Sequence, residues 1–244
     1  MELHRKTADN ESVNSIFEKN KTAVKNFRFF TFIRKFPSEK TGFFAFFLFS
    51  IFLQIFCAQQ ANAYMVKYKE DFYRLYHIHY QQFPDDCIEN IYWLEKAVQA
   101  DFANPQYADA KITSKKEWEK YRYLYMMHLN LKLIEQHLRL GRIYNKKTAY
   151  FYDAPWKEEY LRDLEKAKSC YAAGLTYWKE AKLWAEKAST SGFNFLYITD
   201  LQNWEDERYR INEGELNYEK MLNRELNRVQ EVMNTFLAMD EKTY

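Results

Sequence analysis

Between Trp118 and Tyr144, Leu124, Met127, Leu131, Ile134 and Leu138 recur at intervals of three, four, three and four residues, which sets them on one helical face. Tyr121, Tyr125, Leu129 and Leu133 form a second stripe beside the first. A helix that is apolar on two adjoining stripes must bury both, so this segment predicts the central helix of a bundle. Ser114 with Glu117 supplies a capping box at its start. Gly141 reads as a weak point ahead of the polar Asn145-Lys146-Lys147 segment.

The neighbouring segments carry the same period. Asp71–Gln82 places Phe72, Leu75, Tyr76, His79 and Tyr80 on one side, and Phe83-Pro84-Asp85 ends it. Asp86, with Glu89 three residues on, opens a second helix from Cys87 to about Ala103, which Asn104-Pro105 closes. Pro155 suits the first turn of a helix reaching Ala188, with Leu161, Leu164, Ala167, Tyr171, Leu175, Trp178 and Leu183 inward. Thr199 with Gln202 starts a short helix to about Asn212. Gly214 interrupts, and Glu215–Met239 carries the seam Leu222, Leu226, Val229, Met233 and Phe236. No segment alternates with period two, and five glycines and four prolines leave few turns. The expected fold is all-α, with antiparallel helical hairpins forming an elongated bundle.

Ahead of these helices, Phe43–Phe56 is apolar apart from Ser50 and Gln54 and carries no charge. Arg34, Lys35 and Lys40 precede it, and Ala61-Asn62-Ala63 follows. A basic flank, an apolar core and a small-x-small exit make a signal peptide, with cleavage expected between Ala63 and Tyr64. Fourteen residues are short of the ~20 needed to span a bilayer, so an uncleaved signal anchor is the second reading. Phe56 stands where a lipoprotein signal wants a small residue before Cys57. Residues 1–42 form a basic leader with nothing to build a core from, and are expected to be disordered. The organisation is thus leader 1–42, signal peptide or anchor 43–63, and an all-α domain over 64–244, exported to the periplasm and tethered to the inner membrane only if residues 43–63 stay attached.

The whole chain has 36 Lys and Arg against 34 Asp and Glu. The first 63 residues hold nine basic and five acidic side chains, which leaves a nearly neutral remainder. Nucleic-acid binding needs clustered cations, so no nucleic-acid partner is expected. Beyond Cys57, Cys87 and Cys170 form an even pair in a compartment able to oxidise them. They are either one bridge or two buried free thiols.

Helical hairpins of about 34 residues suggest tetratricopeptide repeats. Leu94–Asp101, LEKAVQAD, is similar to the end of that repeat's second helix, and Trp184–Ala188, WAEKA, echoes it. Ile78 occupies the place of the repeat's small residue, and the two longest helices exceed repeat length, so the match is to degenerate hairpins. The runs YWLEKAVQADFANPQYA (92–108), KKEWEKYRYLYMMHLNLKLIEQHLRLG (115–141) and FYDAPWKE (151–158) resemble the small helical periplasmic proteins of the spirochaete flagellar-motor collar. That resemblance implies a non-enzymatic subunit whose partners are other collar proteins, and it carries over no functional residues.

The chain holds no HExxH, P-loop, GxSxG or dinucleotide glycine pattern, and neither a catalytic residue nor a cofactor is expected. His77 and His79 point about 200° apart on a helix, and His128 and His137 are two and a half turns apart, so neither pair predicts a metal site. Glu158-Glu159 and Glu205-Asp206-Glu207 could furnish paired carboxylates, but first turns and exposed faces account for them better. Aromatic residues among charges are the remaining signal. Tyr150, Tyr152, Trp156, Trp204 and Tyr209 are the candidate partner surface, since Tyr and Trp anchor protein interfaces.

Overall fold

A computed structural model describes residues 65–147, 156–193, 195–240 and 242, all within one compact unit, Tyr64–Tyr244. The signal segment, Ala61, Ala63 and Tyr64, and with them Tyr150 and Tyr152, lie outside the described residues. Among the described residues six α-helices follow one another: α1 Lys69–Gln82, α2 Cys87–Gln99, α3 Lys115–Tyr144, α4 Lys157–Ala188, α5 Gln202–Asn212 and α6 Tyr218–Ala238. Among the described residues there is no strand, only an isolated bridge between Tyr68 and Asp101. The domain is an all-α bundle.

Both apolar stripes of α3 are buried, from Tyr121 through Leu138, and most of its faces meet other helices. Its Ser114–Glu117 capping box forms as expected: Glu117 N–H donates to Ser114 Oγ at 3.1 Å, and Ser114 N–H donates to Glu117 Oε2. Burying a side chain such as Ile134 contributes about 1.5–3 kcal/mol, and cutting it to Ala would cost about 2–5 kcal/mol once the cavity is included.

Polar contacts fix the directions of the neighbours. α4 runs antiparallel to α3, with Lys146 paired to Asp163 at one end and Tyr123 against Trp184 towards the other. α1 runs parallel to α3, through Glu70 with Tyr121, Tyr73 with His128 and Tyr76 with Gln136. α2 folds back on α1 and therefore runs parallel to α4. α6 is antiparallel to α4, shown by the register Lys182–Glu219, Lys168–Gln230 and Lys157–Met239 carbonyl.

Several boundaries move, each for a tertiary reason. α2 stops at Gln99 rather than near Ala103 because Ala100 turns extended. The buried Lys69 ammonium then accepts the role of a cap, donating to the Ala97 and Val98 carbonyls at 2.7 Å each, while Ala103 N–H donates to the buried Glu70 carboxylate at 2.9 Å. Leu183 is exposed, and Ala181 and Ala185 face inward instead, letting α4 approach its neighbours closely. Thr199–Leu201 forms a 3-10 turn rather than the cap of α5. α6 begins at Tyr218, where Asn217 Oδ1 accepts from Lys220 N–H, after Gly214 has taken the left-handed backbone at φ 75°.

Gly141 does not weaken α3. A Cβ there would stand 2.4 Å from Cε1 of Tyr171, so its missing side chain is what lets the Tyr171 ring of α4 lie against α3. None of the described helices is long and apolar enough to cross a membrane.

Candidate interaction surface

Tyr73, His128 and Glu207 are brought from three helices into one chain. The Glu207 carboxylate can only accept, so His128 Nδ1–H donates to Glu207 Oε2 at 2.6 Å. Nε2 of the same ring is hydrogen-bonded to the Tyr73 hydroxyl, also at 2.6 Å. Trp204 stacks on the His128 ring at 4.7 Å and meets Tyr125 edge-on at 5.1 Å. Burial raises the Tyr73 hydroxyl well above the ordinary tyrosine value, so it stays protonated and able to donate.

A cleft of about 330 Å³ opens beside this chain, lined by Tyr73, Arg74, His77, Asp109, Asp200 and Trp204 among others. Arg74 approaches Asp109 at 3.5 Å, and Tyr125 donates to the same carboxylate at 3.2 Å. Burial raises the Asp109 carboxyl above its usual range, and the Tyr125 hydrogen bond and Arg74 only partly offset it. Asp200 accepts from Lys111 N–H at 2.8 Å. Asp109 sits in a bend and Asp200 in the short 3-10 turn Thr199–Leu201, where helical periodicity offers no signal.

The acidic clusters do not converge. Glu158, Glu159 and Asp206 are exposed, Glu205 is buried against Lys120 and Arg208, and Glu207 holds His128. The histidines also separate: His77 lies edge-on to Tyr73, His79 meets Asn90, and His137 stacks on Tyr177. Among the described residues, no set of three His, Cys, Asp or Glu is placed to hold a metal ion.

Of the candidate partner residues, Trp156 and Tyr209 are exposed, while Trp204 is half-buried in the aromatic cluster and shows only a rim to the cleft. A larger feature lies at one end of the bundle. Towards that end the α1–α2 turn is tied to the last turns of α3 by Arg139 donating to the Pro84 carbonyl, and farther out the start of α4 is tied to the end of α6 by Lys157 donating to the Met239 carbonyl. Phe83, Ile88 and Ile143 stand exposed at the first level and Trp156 and Leu237 at the second, each between 44 and 64 %. Sequence reading missed four of these five, because inward and outward apolar residues look alike in a helix that is apolar on several faces.

Cys87 and Cys170 are both free thiols in the structure, Cys87 buried and Cys170 half-buried. The bridge that the even pair allowed is therefore not formed here.

A family described as a domain of unknown function, DUF8513, matches residues 116–239, more than half of the chain. The chain belongs to that family. No curated protein and no solved structure matches it. The matched region runs from the first turn of α3 through α6, so the α1–α2 hairpin lies outside it and docks through Tyr73 onto His128.

Proposed function

We propose that this protein is a non-enzymatic helical scaffold of the periplasm that works by binding other proteins, and that it serves as a subunit of the spirochaete flagellar-motor collar in support of motility. The observation that carries the interaction role is the set of large apolar side chains left exposed towards one end of the bundle, Phe83, Ile88 and Ile143 at one level and Trp156 and Leu237 farther out. Large apolar side chains left in water favour burial against a partner, at about 25 cal/mol per Å² of apolar surface removed from solvent. The collar assignment is supported by the resemblance of the runs 92–108, 115–141 and 151–158, and the export by the leader around Phe43–Phe56.

The test is cross-linked co-purification of tagged protein from its source cell, comparing wild type with the double variant Phe83→Asp/Ile88→Asp. Collar proteins should be recovered with the wild type and lost with the variant while its helical content is kept. Recovery of wild type as a lone monomer overturns the scaffold reading, and partners unrelated to the motor overturn the collar. N-terminal sequencing of the same material should begin at Tyr64 if the signal is cut, and at Met1 if the domain is tethered.

A second reading, a small-molecule carrier, is favoured by the cleft between Tyr73 and Trp204. A thermal-shift screen separates the two, since only a carrier gains stability from a small ligand.

A further inference from the structure

Beyond Cys57 the chain has two cysteines, 83 positions apart in sequence, and the fold sets them at one level on neighbouring parallel helices. The register is fixed by Tyr177 of α4, whose hydroxyl donates to Glu95 of α2 at 2.9 Å. Cys87 lies eight residues before Glu95, roughly 12 Å along α2, and Cys170 lies seven residues before Tyr177, roughly 10.5 Å along α4. Parallel helices make those offsets run the same way, so the two thiols differ in height by only about 1.5 Å. Tyr177 is two turns beyond Cys170 on the same face of α4, so Cys170 lies on the side turned to α2, and Cys87 belongs to the buried stripe of α2 with Ile91 and Leu94, about 80° round from Glu95. Burial raises both thiols, and Cys170 is raised further by the charge of Cys87, as two neighbouring sulfurs require.

We propose that Cys87 and Cys170 are a redox pair that closes into a cystine in an oxidising compartment, stapling the α1–α2 hairpin to α4. The more open Cys170 reacts first: its thiolate attacks a disulfide oxidant, one sulfur of which leaves as a thiolate, giving a mixed disulfide. Cys87, as thiolate, then attacks the Cys170 sulfur and expels the second thiol of the oxidant. The protein loses two protons and two electrons, and the oxidant's disulfide becomes two thiols. The staple joins the hairpin outside the family-matched region to a helix inside it. It would hold the exposed Phe83 and Ile88 in fixed relation to Trp156.

The test uses the full chain, purified reduced and then equilibrated with oxidised glutathione, mapped by mass spectrometry without reduction. The expected product is a Cys87–Cys170 linked peptide pair short of two hydrogens, with the thermal transition raised by about 10 °C over the reduced chain. That rise should vanish in Cys170→Ser, and in Cys170→Ala as a second variant that keeps an apolar group at this half-buried position. Three results overturn the pairing: glutathione remaining on Cys170, both thiols staying open to alkylation once the chain is unfolded, or a bond that draws in Cys57 instead.

Discussion

Tyr73 and His128 share a 2.6 Å hydrogen bond that crosses from the N-terminal hairpin into the family-matched region. Both residues are buried, so the imidazole nitrogen has no water to replace a lost partner. Tyr73→Phe removes only the hydroxyl and leaves Nε2 unsatisfied, which costs about 1–3 kcal/mol. Thermal unfolding followed by circular dichroism should show the transition lowered by about 2–10 °C. An unchanged transition would mean that this hydrogen bond adds nothing net to the docking of the hairpin.

The ion pair between Lys120 and Glu205 is almost wholly buried, each side chain being 4 % exposed. Lys120 also donates to the Leu196 carbonyl, and Arg208 donates to Glu205 at 2.9 Å. Lys120→Met leaves a buried carboxylate with one partner of two, at a cost of up to about 3–5 kcal/mol. Lys120→Met/Glu205→Leu removes both buried charges and should recover part of that loss. Urea titration of the single and double variants measures the difference, and equal losses would contradict the electrostatic account.

Gly141 and Gly174 should respond differently to alanine. Each gains up to about 1 kcal/mol of helix propensity. At Gly141 the new methyl meets the Tyr171 ring at 2.4 Å, and that ring is held by Asn145 Nδ2 donating to its hydroxyl at 3.2 Å. Overpacking of this kind costs about 1–3 kcal/mol, so Gly141→Ala is expected to destabilise. At Gly174 the closest atom is a terminal methyl of Leu222 at 2.9 Å, which can rotate aside, and the change should be close to neutral. Chemical denaturation of both variants decides whether close approach to an aromatic ring accounts for Gly141.

Lys69 makes stability depend on alkaline pH. Desolvation lowers its ammonium from 10.5 to about 8, against the smaller raising effect of the Glu70 and Asp101 carboxylates. Between those values the unfolded chain holds a proton that the folded chain has released, so stability rises with pH across the window, by at most about 3 kcal/mol. Above about 10 the buried tyrosines reverse the trend. Tyr73 and Tyr76 are raised by burial, and the folded chain keeps protons that the unfolded chain loses. Urea unfolding at roughly pH 7, 9 and 11 should therefore give a maximum near 9. Lys69→Met should abolish the rise and leave the fall.

Much of this arrangement was legible in the amino-acid order. The three-four spacing of Leu124, Met127, Leu131, Ile134 and Leu138 and the Ser114–Glu117 cap determined a central helix, because both depend on residues within a few turns of each other. Ala188 as the end of α4 was readable for the same local reason. What only the tertiary structure decided depends on groups far apart in sequence. Gln99 ends α2 because Lys69, 30 residues earlier, takes its last carbonyls. Trp204 turns inward because His128 offers it a ring, while Ile88 and Leu237 are left in water although they read as apolar as any core residue. Helical period fixes which residues share a face. Which face meets a neighbour is settled only when six helices divide a limited buried volume among more apolar stripes than it can hold.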